Sequence, residues 1–313
     1  MQRDSDTIEK KEETGTRFIR GREVQGMGTV LEYLEKYGKY SFAEMPMTEV
    51  DSLALCQLSY LKFDGMVPGP DSEGKAAPPD MPGAESGGRT SRESEPGGLP
   101  EPAPEKLADS VTELSGVALE SLREHPDYEK LFADVRYEKP NRALYERMVQ
   151  GKRFRDMKLN YYVNVIEERW ETQFSAVTYT LGDGTHYVAY RGTDETIVGW
   201  KEDFNMAFLT PVPGQAISVE YLNRVAGRFG GPLYVGGHSK GGNLAVYSAM
   251  NCNPDIQDRI LKIYSMDGPG FRPEVLRECD YGKIADRVVK ILPNSSLVGM
   301  IFESGMYFQV VKS

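Results

Sequence analysis

Residues 233–250 read LYVGGHSKGGNLAVYSAM, and this stretch decides the fold. The apolar run at 233–235 predicts a buried strand, and the apolar spacing at 241–250 predicts a helix. Between them, Ser239 lies in the pattern Gly-His-Ser-Lys-Gly at 237–241, where a strand must turn sharply into a helix. Glycines on both sides remove the Cβ atoms that would clash in so tight a turn. The segment therefore predicts a sheet with a serine raised above its edge.

The flanking sequence continues the alternation of strands and helices. Strand patterns at 174–181 and 185–190 flank Gly182-Asp183-Gly184, a short link that favours a hairpin. Further elements are expected as a helix at 218–229 and strands at 260–266, 288–292 and 307–311. Strands that alternate with helices indicate a mostly parallel sheet covered on both faces. We therefore expect an α/β fold of the α/β-hydrolase type.

Composition divides the rest of the chain. Residues 66–105 are mainly Pro, Gly, Ser and Glu, and such a segment buries too little apolar surface to offset its ordering entropy. We expect a disordered insertion within one domain, because the residues before it would make too small a core alone. The predicted parts are a charged flexible leader at 1–23, an N-terminal helical part at 24–65, the insertion, and a hydrolase core at 106–313. Helices are predicted at 29–37 and 48–63 in the N-terminal part. The core is predicted to begin with helices at 106–132, with a break near His125-Pro126, and at 141–151.

Charge and cysteine content exclude several classes of protein. A net charge of −10 and the lack of a basic run argue against a nucleic-acid partner. The three cysteines (Cys56, Cys252 and Cys279) are far apart and odd in number, which is typical of reduced thiols in a cytoplasmic protein. No signal peptide and no transmembrane segment are predicted, since the chain lacks an apolar run of sufficient length. We expect no metal and no cofactor.

The serine suggests nucleophilic chemistry. Ser239 is the candidate nucleophile, and the backbone N–H of Lys240, at the start of the helix, points at any oxyanion formed there. A second donor is expected from Thr193, which follows the strand before the elbow; Arg191 is expected to brace that loop by pairing with a carboxylate such as Asp203. The alternative is a simple polar turn. The Lys240 side chain is expected to face solvent, or else to favour an anionic substrate.

The sequence offers candidates for the catalytic acid, but no histidine lies where the base is expected. Asp267 follows the strand after the elbow helix, at the sheet edge where ligands bind, and is the candidate acid; a turn-capping role is the alternative. Asp286 is a weaker candidate, because it precedes a strand. A hydrolase of this type needs a histidine after the acid, yet the only histidines are His125, His186 and His238. Each is expected to be structural, apart from the alternative that His125 folds over the pocket.

The sequence resembles a bacterial family, the Mbeg-like proteins, which look like relatives of the class 3 lipases. The segments that carry the resemblance are LEYLEKYGKYSFAEMPMTEVDSLALCQLSYLKFD at 31–64, YVAYRGTDETIVGWKEDFNM at 187–206, GGHSKGGNLAVYSA at 236–249, YSMDGPGF at 264–271 and KILPNSSLVGMIF at 290–302. The resemblance implies a lipase-like α/β-hydrolase in which Ser239 is the nucleophile, 191–193 is the oxyanion loop, and Trp200 and Asp203 hold that loop. It also implies a histidine segment after the last strand.

These features predict a lipase- or esterase-like hydrolase of a small-molecule or lipid-like acyl ester. Ser239 would attack the carbonyl carbon, and Asp267 would orient a histidine. Because no histidine follows Ser239, we expect a truncated chain or an inactive member of the family. The alternative is a non-catalytic protein that keeps the elbow and the pocket to bind an acyl or peptide ligand.

Overall fold

The computed structural model describes residues 28–69, 116–133, 135, 137–167, 172–193, 211–301 and 307–311. Within them, a sheet of eight strands runs in the order β1 to β8. The strands are Val117–Ala118 (β1), Lys158–Glu167 (β2), Thr172–Thr180 (β3), His186–Tyr190 (β4), Leu233–His238 (β5), Ile260–Met266 (β6), Val288–Pro293 (β7) and Phe308–Val311 (β8). Strands β1 to β4 pair antiparallel, and β4 to β8 pair parallel. The predicted mostly parallel sheet is confirmed.

Helices cover both faces of the sheet. They are Val30–Tyr37 (α1), Glu49–Leu58 (α2), Glu138–Gln150 (α3), Lys152–Arg155 (α4), Pro213–Arg228 (α5), Lys240–Asn251 (α6), Pro254–Gln257 (α7) and Pro273–Glu278 (α8). Side chains of α1 to α4 form one apolar core with one face of the sheet, and those of α5 to α8 form a second core with the opposite face. Aromatic side chains alternate between the two faces, as the period of a strand requires. No helix in the described part of the chain is long and apolar enough to cross a membrane.

Two expectations about the N-terminal half need correction. Where a helix is predicted at 106–132, the described residues form strand β1 and two 3₁₀ helices, Glu120–Glu124 and Tyr128–Phe132. Val117 pairs with Leu159 of β2, so sheet pairing overrides the local helical pattern. Met66 and Val67, assigned to the insertion, are buried in the first core. Residues 1–23 and 70–105 lie outside the described residues.

A buried ion pair joins α2 to the rest of the core. Asp51 accepts hydrogen bonds from Nε and Nη2 of Arg153, at 2.6 and 2.5 Å, and both side chains are fully buried. Arg153 also donates to the carbonyl oxygens of Met45 and Pro46, at 2.8 and 3.0 Å. The second carboxylate oxygen of Asp51 accepts from the backbone N–H of Thr48, which completes a capping box at the start of α2. The N-terminal helices are thus bonded to the hydrolase-like core.

The parallel half of the sheet determines where the site forms. Strands β4 to β7 run in the same direction, so their carboxyl ends meet at one edge. The segments that leave this edge begin with Arg191, Ser239, Asp267 and Asn294, in the order of the strands. Residues distant in sequence are therefore neighbours here.

Candidate active site

Ser239 occupies a sharp turn between β5 and α6. Its backbone has φ 56° and ψ −130°, a conformation that costs of the order of 1–3 kcal/mol for a residue with a side chain. Its N–H donates to the carbonyl oxygen of Met266 at 2.9 Å. A Cβ on Gly237 would lie 2.2 Å from the carbonyl of Gly241, and one on Gly241 would lie 2.1 Å from the carbonyl oxygen of Tyr190. Both glycines are needed for the elbow to pack against itself and β4.

The loop after β4 lies directly against this elbow. A Cβ on Gly192 would be 3.1 Å from Cβ of Ser239 and 2.5 Å from the carbonyl oxygen of His238. Thr193, the predicted second oxyanion donor, follows immediately and is partly exposed. The structure thus brings the two sides of the predicted oxyanion hole together.

Arg191 anchors the same loop through both its side chain and its backbone. Its guanidinium group is buried and donates to the side-chain oxygen of Asn164 at 2.9 Å, and its backbone N–H donates to the carbonyl of Ser175 at 2.9 Å. Asp203 and Trp200 lie outside the described residues. The described part of the chain therefore ties the loop to β2 and β3.

The expected exposure of the Lys240 side chain is wrong. The side chain is 1% exposed, and its ammonium group donates to the backbone oxygen and to Oε1 of Gln173, at 2.6 and 2.9 Å. The side chain thus turns inward and reaches the start of β3. Its charge therefore does not face solvent, and the idea of an anionic substrate drawn to it loses its basis. The backbone of Lys240 still begins the helix directly after Ser239.

Asp267 lies at the end of β6, beside the elbow. Its backbone φ is 53°, and its N–H donates to the carbonyl of Ile291 at 2.8 Å. One carboxylate oxygen, Oδ1, accepts hydrogen bonds from the Ser296 hydroxyl and from the backbone N–H of Gly299, the latter at 3.2 Å. The segment after β7 thus holds one oxygen of the acid. Asp286 precedes β7, at the opposite edge, with a side chain that is 84% exposed.

Asn243 of the elbow helix fixes the Asp267 turn, and the sequence analysis missed it. Its amide nitrogen donates to the carbonyl oxygens of Pro269 and Gly270, at 3.2 and 3.1 Å. Its own side-chain oxygen accepts from Gln215 of α5 at 2.9 Å. The available signal was an asparagine at the fourth position of α6, directly before the apolar run of the helix. Hydrogen bonds thus tie the elbow helix to the turn that carries Asp267.

His186 and His125 have partners other than Ser239. His186 begins β4 and pairs with Leu233 of β5. Leu233 lies six residues before Ser239, which corresponds to roughly 20 Å along the strand. It stacks on Phe229, and burial lowers its pKa. The ring of His125 accepts a hydrogen bond from the N–H of Asp127 in a turn between the two 3₁₀ helices. Within the described residues, the Ser239 hydroxyl has no hydrogen bond to a histidine.

His238 brings a further residue, Tyr60, to the site. The Tyr60 hydroxyl and Nδ1 of His238 are 2.8 Å apart, with the rings edge to face. A Cβ on Gly192 would lie 2.2 Å from that same hydroxyl oxygen. Tyr60 follows α2, 178 residues before His238 in sequence, so no local pattern pointed to it. The N-terminal helical part therefore reaches the loop predicted to hold the oxyanion.

The chain is similar to several fungal lipases of known structure. Lipase II from Rhizopus niveus is 18% identical with a TM-score of 0.37, and the match covers 49% of this chain and 63% of that one. A fungal lipase in an inhibitor complex is 17% identical, with a TM-score of 0.35 and coverage of 46% and 60%. The Rhizomucor miehei lipase in its propeptide complex is 16% identical with a TM-score of 0.35, and the match covers 46% of this chain and 51% of that one. The matched region thus spans less than two thirds of each lipase.

Comparison with sequences gives a firmer result. No curated protein matches the chain. The Mbeg1-like family matches residues 148–313, which is more than half of the chain and includes the elbow, the loop after β4 and Asp267. The chain belongs to the Mbeg1-like family.

Proposed function

We propose that this protein is a serine hydrolase of the lipase or esterase type, acting on a small or lipid-like acyl ester. The strained backbone of Ser239, with the Gly192 loop packed against it, is the observation that carries the proposal. Strain of this kind persists where the surrounding structure enforces it, and it is concentrated at functional sites. A cytoplasmic location is part of the proposal, supported by three free thiols.

The chemistry follows from the placement of the groups. The Ser239 hydroxyl oxygen attacks the carbonyl carbon of the ester, and the carbonyl electron pair moves to oxygen. The backbone N–H groups of Lys240 and Thr193 stabilise that oxyanion, aided by the positive end of the α6 dipole. Collapse of the intermediate expels the alcohol and leaves an acyl-serine, which water hydrolyses. Each proton transfer requires a base beside Ser239.

Asp267 is proposed to orient that base. Ser296 and Gly299 bind Oδ1 of the carboxylate, and a carboxylate has further lone pairs with which to accept from an imidazole N–H. None of the three histidines is assigned as the base, because none forms a hydrogen bond with Ser239 among the described residues. Without a base, a triad site keeps only about 10³ to 10⁴-fold acceleration over water. We therefore expect slow acylation that free imidazole accelerates.

Fluorophosphonate labelling with and without added imidazole tests this proposal. The adduct is located by mass spectrometry in the unmodified chain, in Ser239→Ala and in Asp267→Asn. We expect labelling at Ser239 that imidazole accelerates, no labelling in Ser239→Ala, and weaker acceleration in Asp267→Asn. If the folded chain stays unlabelled even with imidazole, the hydrolase proposal is wrong, and a ligand-binding role for the same elbow is favoured.

A further inference from the structure

The Lys240 side chain is an unusual group to bury beside a candidate nucleophile. It is 1% exposed, and two of its three protons are directed at one residue, the backbone oxygen and Oε1 of Gln173. Burying an ammonium group is costly even when it is hydrogen-bonded, and an apolar residue of similar size is often as stable or more so. General energetics therefore do not favour a lysine over an apolar residue at such a position. Its role must be sought in what its ammonium group connects.

The register of the sheet shows what lies at the other end of this contact. Strands β3 and β4 are antiparallel, with Ala176 opposite Tyr190. The same register continues past the end of β4, where the N–H of Arg191 donates to the carbonyl of Ser175 at 2.9 Å. Extended by two more residues, this register would bring Gln173 level with Thr193. The Lys240 ammonium group is thus bonded to the backbone that faces the loop after β4.

We propose that the Lys240 side chain is a positioning group that fixes the spacing between the two backbone N–H donors of the oxyanion hole. One donor is its own N–H, and the other is that of Thr193. This inference rests on the proposed function, and it adds a residue that holds the hole in shape. The link is direct: the backbone of Lys240 carries the first donor, and its side chain holds the strand beside the second.

Catalysis requires the two oxyanion donors to keep a fixed spacing, and the hydrogen bond from Lys240 to Gln173 is called the brace below. Oxyanion donors act only when they lie about 2.7–3.1 Å from the position of the developing charge, and a site must be held within about 0.5 Å. The elbow and the loop belong to different strand connections, so either can shift alone unless a contact joins them. The contact of Gly192 with the elbow sets how closely the two approach. The bond from Lys240 to Gln173 fixes their position along the strands.

Hydrogen exchange of the free protein tests the brace without requiring activity. The variant is Lys240→Met, which keeps the length of the side chain and removes the ammonium group. The matched control is Lys262→Met, which makes the same change at an exposed position of β6. We expect Lys240→Met to accelerate exchange about tenfold or more in peptides covering 190–193 and 239–243, the loss expected for a charge-assisted hydrogen bond. Exchange in α2 and in the control should not change.

Several results would overturn the inference. Exchange that accelerates only at 239–243, or evenly over the whole chain, would show that Lys240 does not couple the two segments. If Lys240→Met does not fold, Gln173→Ala replaces it, because it removes one of the two acceptors and leaves the backbone oxygen. That variant should accelerate exchange in the same two segments by a smaller factor. Unchanged exchange in both segments would refute the brace.

A labelling measurement separates this inference from the proposed function. With imidazole present, Lys240→Met should slow phosphonylation of Ser239 about tenfold or more, since loss of one oxyanion donor costs about 10²–10³. Labelling at the unmodified rate would refute the positioning role. If the unmodified chain is not labelled while exchange in Lys240→Met rises at both segments, the brace stands and the hydrolase proposal fails.

Discussion

Replacing Asp51 by Asn should destabilise the protein strongly, although the site of the change is far from Ser239 in sequence. Asparagine has nearly the same shape and can still accept the hydrogen bond from Thr48 that caps α2. It cannot balance the charge of Arg153, whose side chain is fully buried and stacks over the ring of Phe42 at 4.2 Å. Breaking a buried ion pair on one side costs about 3–5 kcal/mol, because an uncompensated charge remains.

The assay is equilibrium unfolding in urea, followed by circular dichroism. A loss of about 3–5 kcal/mol corresponds to a fall of about 10 °C in the melting temperature for a protein of this size. The control is Asp156→Asn, which removes half of an exposed pair with Arg155 at 3.5 Å and should change stability by less than about 0.5 kcal/mol. If Asp51→Asn costs less than about 1 kcal/mol, the buried pair does not hold α2 to the core as described.

Three further predictions concern a histidine, the glycines and Tyr60. Burial lowers the pKa of His186 in the folded state, so the unfolded chain binds a proton at this residue more readily. The free energy of unfolding should therefore fall as the pH drops below about 6.5. His186→Asn should flatten this pH dependence, measured by urea unfolding at pH 5.5 to 7.5. Gly241→Ala forces a Cβ to 2.1 Å from a backbone oxygen of β4 and should destabilise the fold by about 1–3 kcal/mol or more. Gly227→Ala, in open space within α5, should stabilise it by about 0.5–1 kcal/mol. The melting temperatures of the two variants should therefore shift in opposite directions. Tyr60→Phe removes the hydrogen bond to His238 and should cost about 1 kcal/mol; equal melting temperatures would show that the bond does not contribute.

Much of the sheet could be predicted from sequence because its signals are local. The helix after Ser239, the hairpin before β4 and the strands β6 to β8 appear within about two residues of their predicted bounds, and the strand before Ser239 runs three residues beyond its predicted end. Apolar runs and glycine-flanked turns act over a few neighbouring residues, so they can be recognised directly in the sequence. The 106–132 region differs, since pairing of Val117 with β2 overrode the local pattern.

The sequence by itself determined the elbow, the alternation of strands and helices around it, and which segments would leave the carboxyl edge of the sheet. Only the tertiary structure decided that Lys240 points inward to Gln173, 67 residues earlier, and that Tyr60 meets His238 across 178 residues. It also decided that Ser296 binds Asp267 and that no described histidine forms a hydrogen bond with Ser239. These contacts join side chains from different strands and from the N-terminal helices. Hydrophobic periodicity and turn residues specify each helix or strand separately, whereas packing in three dimensions determines which side chains come into contact.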